Sequence, residues 1–393
     1  MQIVLTFILL LLAAALVAGL VPFKQDRIDD IYSSLLEAED NLLLTLAFDK
    51  SKTQADFDAF LKSWDAANAS LKSVLLVCHV LGERSDFSVP DTLLPRLKGG
   101  EAVAELHNAT IAKHFSRIAS ALSDNNIPFI LIKGAAMKLL NPDMPRWMTD
   151  IDLIVDENNF GRSIRLASDL GYGDPMACGY STDLHIPGSQ TAVADIHCRL
   201  DLGTGMEERF TGPLFARAEE MPMFSTRGLI PCREDLVFIL LVNTFKNLQK
   251  KQSGQSILNT FFDLKFLTAA NTGLDWARIK SDAELTGTGC QLYIVCRFFA
   301  GYLPELFPRG WIESLGANSK DLEKLFVDFK FRRNVLSAGR DKMAGTAVGT
   351  RLRTEQSPLV YCWLGLVKMA KPIAGNRIFK RIILRFKSLF HSY

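Results

Sequence analysis

Asp150 and Asp152 stand two residues apart in the run Thr149-Asp150-Ile151-Asp152-Leu153-Ile154-Val155, whose aliphatic residues predict a strand. Side chains at i and i+2 of a strand share a face, so both carboxylates can reach one point while Ile151 and Leu153 pack into a core behind them. Paired hard oxygen ligands of this kind hold divalent cations. Two magnesium ions about 3.5–4 Å apart, sharing such carboxylates with a third one from elsewhere, suit the chemistry of phosphate groups. The third candidate is Asp195, in the strand-like segment Thr191-Ala192-Val193-Ala194-Asp195-Ile196-His197. His197 lies two residues beyond it, on the same strand face, where it can orient a carboxylate or contact phosphate.

An Asp-x-Asp triplet arises by chance about once in a chain of this length, so its setting must carry the argument. Upstream lie an apolar strand (Ile130-Leu131-Ile132), a Lys133-Gly134 turn and a helix from Ala135 to Leu140. Downstream, a helix from Asp156 ends at Gly171, a common helix stop. Tyr172 to Val193 alternates turn residues with short apolar runs, which predicts antiparallel strands that bring Asp195 beside the other two aspartates. Residues 27–125 carry helical spacing, as in Phe57-Phe60-Leu61-Trp64, with loops expected at Gly82 to Pro90 and at Gly99-Gly100 and a helix at Leu106 to Leu122. His107 and His114 on that helix have no acidic or cysteine partner nearby and read as boundary histidines; His185 reads as a strand-end histidine or a pocket residue. Arg233 to Phe307 is mostly helical; Lys246, Lys250 and Lys251 form a solvated face or meet a triphosphate, and Asp263, among apolar neighbours, is a buried salt-bridge partner or a pocket residue.

This order of elements resembles the nucleotidyltransferase fold of the polymerase-beta superfamily, and more closely a bacterial branch of uncharacterised nucleotidyltransferases. The marks shared with that branch are Ile132-Lys133-Gly134, Arg146 four residues before Asp150, the Asp-Ile-Asp-Leu strand, Leu170-Gly171-Tyr172 and the Asp195-Ile196-His197 strand, with Glu234-Asp235-Leu236 and Leu274-Asp275-Trp276 further on. The superfamily's usual Gly-Ser turn is Gly134-Ala135 here, so phosphate contact falls to backbone N–H groups and Lys133. Cys198 stands where the branch tends to have Trp, and Asn243-Thr244 where a histidine often sits.

The resemblance implies an α+β fold, a small mixed or antiparallel nucleotidyltransferase sheet with flanking helices between N- and C-terminal helical regions. It implies catalytic, metal-holding Asp150, Asp152 and Asp195, and nucleotide contacts from Lys133, Gly134, Ala135, Arg146 and His197. The alternative for Lys133 and Arg146 is ion pairing with Asp143 or Asp156. The expected cofactor is Mg2+, two ions, and the expected substrate a nucleoside triphosphate, with ATP first, and an acceptor the sequence leaves open. A non-catalytic accessory protein of a membrane-associated polysaccharide or peptide-modification system is the alternative.

The 393 residues, 48% of them hydrophobic, suffice for well-filled cores. A formal net charge of +2 gives no basic field that would make nucleic acid an obligatory partner. Seven cysteines at irregular spacing, without a C-x-x-C pair, read as reduced thiols rather than a disulfide or zinc framework. Residues 1–23 are almost uninterruptedly apolar, enough for one span, and the first basic residues, Lys24 and Arg27, follow it. A signal anchor with the body on the cytoplasmic face of the inner membrane is therefore expected, a soluble cytoplasmic protein, a cleaved signal, or an extended or misassigned start being the alternatives. After Glu355 no acidic residue remains. The last residues place Ile378, Phe379, Ile382 and Phe386 on one helical face with Arg377, Lys380, Arg381 and Arg385 mainly on the other, as suits anionic lipid or docking on the protein itself. The expected divisions are 1–23, 27–125, a catalytic domain at 126–228, a helical domain at 231–345 and a basic segment at 356–393.

Overall fold

The computed structural model describes residues 38–66, 69–173, 180–189, 191–223, 226–248, 254–269 and 273–316. The apolar segment 1–23, the basic segment 356–393, Cys178, Lys250 and Lys251 lie outside the described residues. Among the described residues no helix is long and apolar enough to cross a membrane.

Six short strands form the sheet: β1 (Phe129–Leu131), β2 (Ile151–Val155), β3 (Ser181–His185), β4 (Ala192–His197), β5 (Glu219–Met223) and β6 (Thr226–Ile230). Their order is β3-β4-β2-β1-β6-β5. The sheet is mixed: β2 runs parallel to β4 and β1 parallel to β6, while the other neighbours are antiparallel. The strand bearing Asp195 is thus a parallel neighbour of β2, with β3 the antiparallel strand at the edge. The register sets Asp152 opposite Asp195 and Ile154 opposite His197, so all four side chains fall on one face of the sheet. On the other face Ile151, Leu153, Val155 and Phe129 are buried.

Twelve helices surround this sheet in the described residues: α1 (Ala38–Phe48), α2 (Gln54–Ser63), α3 (Leu71–Glu83), α4 (Leu94–Asp124), α5 (Lys133–Leu140), α6 (Glu157–Asp169), α7 (Glu208–Arg217), α8 (Arg233–Leu248), α9 (Gly254–Ala269), α10 (Trp276–Thr286), α11 (Gly289–Ala300) and α12 (Trp311–Ser314), with a 3-10 turn at Pro304–Leu306. α4 covers the apolar face of the sheet, Phe115 meeting Phe129 edge to face at 6.1 Å. α5 opens directly from β1, and α6 is N-capped by Asp156, whose carboxylate accepts from the N–H groups of Asn158 and Asn159. Helices from both ends of the described chain share one core: Phe48 of α1 stacks on Phe261 of α9 at 5.6 Å, and His79 of α3 on Phe262 at 4.3 Å. The conspicuous Glu234-Asp235 pair serves the fold. Asp235, fully buried, accepts from Arg217 Nε and a terminal guanidinium nitrogen at 3.1 and 2.8 Å, and Arg217 also reaches Asp282 at 3.1 Å, which ties α7, α8 and α10 together.

The loop expected at Gly99-Gly100 is instead the second turn of the 31-residue α4. Gly100 is there for close helix packing, since a Cβ on it would sit 2.5 Å from Val74 Cγ1 of α3, whereas Gly99 has open space around it. Gly99→Ala should therefore raise stability by about 0.5–1 kcal/mol, and Gly100→Ala should lower it despite the same gain in helix propensity. Urea-denaturation midpoints of the two variants check this contrast.

Candidate active site

The strand–turn–helix entry to the site is built on an unusual backbone. Ile132 donates its N–H to Asp152 O at 3.1 Å, and the next residue, Lys133, turns with φ +52, a left-handed conformation that costs a non-glycine residue roughly 1–2 kcal/mol. The conformation sends the Lys133 Nζ to Asp152 Oδ1 at 2.5 Å. Gly134, which follows, has an ordinary φ. Its lack of a side chain matters because a Cβ would lie 3.2 Å from Arg146 Nε and 3.5 Å from a terminal nitrogen of the same guanidinium. Ala135 is buried in the first turn of α5, facing the core rather than the turn.

Asp152 and Asp195 sit side by side on β2 and β4, and His197 Nε2 bridges them, 3.3 Å from Asp152 Oδ1 and 3.0 Å from Asp195 Oδ2. Burial alone would lower the His197 pKa, but its hydrogen bonds to the two carboxylates outweigh burial and raise it; lying between two carboxylate oxygens, Nε2 is the donor. Burial would likewise lower the Lys133 pKa, and the charges of Asp152, Asp195 and Asp150 raise it. Asp152 answers in the opposite direction: burial works to raise its pKa, yet Lys133 and His197 hold it well below the usual carboxylate range. Asp150, just before β2, accepts from Thr149 Oγ1 at 2.9 Å; burial, then the charge of Asp152, pushes it up to about 6.

Asp152, Asp195 and His197 offer ligand atoms within 4.8 Å of one another, and the second carboxylate oxygen of Asp195 is buried without a partner among the described residues. Hard oxygens converging on one point, one of them orphaned, fit a divalent cation such as Mg2+. His197 Nε2 also orients the two carboxylates, and Asp150, the third carboxylate expected there, is not among the ligand atoms that converge in the described residues.

The other expected contacts fall in different places. Arg146 pairs with neither Asp143 nor Asp156. Asp156 is committed to its helix cap, and the buried Arg146 side chain instead donates to Asp263 Oδ1 of α9 at 2.5 Å, which resolves Asp263 as a salt-bridge partner. Lys246 of α8 pairs with Asp201 at 2.5 Å. His107 stacks on Trp147 at 3.7 Å and contacts Met148 O at 2.9 Å, so it braces the loop that delivers Asp150; His114 meets the Tyr172 hydroxyl at 3.1 Å. His185 closes β3, at a register shift against β4. Cys198 is a buried thiol whose pKa burial raises. One carboxylate went unnoticed in the sequence. Asp183 on β3 pairs in register with Asp195; its side chain opens to solvent, yet partial desolvation of the carboxyl by its neighbours, then the Asp195 charge, raise its pKa. The alternation of buried Thr182 and Leu184 around it marks its face, but only the β3–β4 register shows that it extends the row of Asp152 and Asp195 to the sheet edge.

A family model described as uncharacterised nucleotidyltransferase matches residues 55–304. The chain belongs to this family. No curated protein matches it. Among solved structures, the solution structure of the antibiotic-resistance factor ANT(2'')-Ia is 12% identical, covering 60% of this chain and 99% of its own at a TM-score of 0.28. An antigenic nucleotidyltransferase-like protein from Paracoccidioides brasiliensis is 12% identical over 51% of this chain and 92% of its own, with a TM-score of 0.33. ANT(2'')-Ia in complex with adenylyl-2''-tobramycin is 11% identical over 50% and 99%, with a TM-score of 0.24. Similarity at this level carries no conclusion about substrate.

The site electrostatics of this family member give a pH dependence. A divalent cation held beside Asp152 would draw on Asp150 only after the proton Asp150 holds below a pH of about 6 has left, so affinity is expected to rise with pH through that value and level off above it. Calorimetric titration with Mg2+ or Mn2+ should find binding about tenfold weaker at pH 5 than at pH 7, and Asp150→Asn should flatten the profile.

Proposed function

We propose that this protein transfers a nucleoside monophosphate from a nucleoside triphosphate, ATP first among them, to a hydroxyl or phosphate acceptor. The observation that carries this reading is the in-register pairing of Asp152 with Asp195, with Asp150 two residues earlier and the Lys133 ammonium already seated on Asp152. Asp150, Asp152 and Asp195 would hold Mg2+, which when bound supplies charge neutralisation on the triphosphate and a lowered pKa for the attacking hydroxyl. The remaining work belongs to the chain. Asp195, set in register beside Asp152, is the acceptor for the proton of the attacking hydroxyl. His197 holds Asp152 and Asp195 in one orientation, so that two like charges present a fixed pair of oxygens. Lys133 and the backbone N–H groups at the start of α5 face phosphate oxygens, and the positive end of the helix adds to their pull.

The leaving group is pyrophosphate, and the bond formed joins the acceptor oxygen to the α-phosphorus, so label in the α-phosphate must follow the acceptor. Incubation with Mg2+ and α-labelled nucleoside triphosphates, alone and with cell extract, should move label to an acceptor with release of pyrophosphate. Asp152→Asn, which keeps the side-chain shape, should reduce that transfer by about a thousandfold or more while the circular-dichroism spectrum is retained. Full transfer by this variant would exclude the proposed chemistry.

A further inference from the structure

Arg146 is fixed from three directions. Its carbonyl accepts from Asn108 Nδ2 of α4 at 2.7 Å, its guanidinium lies against Gly134, and one terminal nitrogen donates to Asp263 of α9, 117 residues away in sequence. Asp263 has no exposed surface, and Arg146 is its only cationic partner among the described residues. A pair buried in this way is a poor device for stability alone, because removing two charges from water costs about as much as their attraction returns. The pairing is also incomplete on the acid side, where the second Asp263 oxygen is buried without a partner among the described residues. What the pair does achieve is placement: it pins a planar cation beside the turn that opens α5, where Lys133 also stands.

We infer that Asp263 is a positioning residue, which holds the Arg146 guanidinium at the Gly134 turn so that its remaining N–H groups meet the triphosphate. This inference rests on the nucleotide site proposed above. It gives the helical segment around α9 a part in substrate binding without any contact between Asp263 and the nucleotide. Arg146 adds a second cation to Lys133 at the turn, so a ligand with more phosphate charge gains more there, and the consequence is discrimination between a triphosphate and a monophosphate. Arg146 would supply charge-assisted hydrogen bonds worth roughly a ten- to hundredfold difference in affinity.

The test is calorimetric binding of Mg·ATP and of AMP to the full chain, wild type, Asp263→Asn, Asp263→Glu and Arg146→Lys, beside thermal melts. Asp263→Glu keeps the buried charge and moves the guanidinium by one methylene, and it decides the matter where Asp263→Asn does not fold. The expected result is a ratio of ATP to AMP affinity reduced about ten- to hundredfold in each folded variant, with AMP binding unchanged and with Arg146→Lys/Asp263→Asn no weaker than either change alone. A folded Asp263 variant that melts earlier yet keeps the wild-type ratio would show a purely structural salt bridge and overturn the inference, leaving the proposed function standing. Wild-type protein that binds no Mg·ATP would overturn both.

Discussion

The site depends on holding like charges together. The β2–β4 register places the Asp152 and Asp195 carboxylates directly opposite each other on one face of a sheet, an arrangement that repels. Asp150 and Asp183 add negative charge on either side. Nearby positive groups make this tolerable: the Lys133 ammonium on Asp152, and the His197 N–H shared by Asp152 and Asp195. Each has a backbone reason to be there. Lys133 reaches Asp152 from a left-handed turn, and His197 follows Asp195 by two residues, so the strand pleat returns it to the same face. The opposition of raised Asp150 and lowered Asp152 pKa values follows directly, since the cations touch one carboxylate and leave the other buried beside it.

The rest of the structure supplies rigidity around that charge cluster. α4 seals the apolar face of the sheet and, through Asn108 and His107, braces the loop from Arg146 to Met148 ahead of Asp150. The helices before and after the sheet meet through Phe48, Phe261 and Phe262, so the chain's described ends close on one core. Arg146 crosses from the loop to that core at Asp263, and the Arg217–Asp235–Asp282 network does the same for α7. Buried ion pairs thus tie the loop before β2 to α9, and α7 to α8 and α10.

Much of the sheet side was legible in the sequence. Alternating apolar residues around Asp150 and Asp152, and the spacing of Asp195 and His197, identify one face because strand periodicity is local. A mixed sheet was among the expectations, but that β4 runs parallel to β2 was not legible, because an apolar run does not reveal which way its neighbour points. Gly99-Gly100 was misleading for a physical reason: glycine breaks an isolated helix, but at Gly100 it permits contact with Val74, a tertiary fact. The partner of Arg146 lay 117 residues away, beyond any local rule, and Asp183 joined the site only through the β3–β4 register.

The claim on which the account rests is that the three aspartates form one divalent-metal clamp. Electron paramagnetic resonance of the protein titrated with Mn2+ and a non-hydrolysable ATP analogue tests it directly. Two spin-coupled Mn2+ ions per chain are predicted, about 3.5–4 Å apart, with the coupling lost in Asp195→Asn. Undiminished coupled binding in that variant, or only isolated Mn2+ in the wild type, would contradict it.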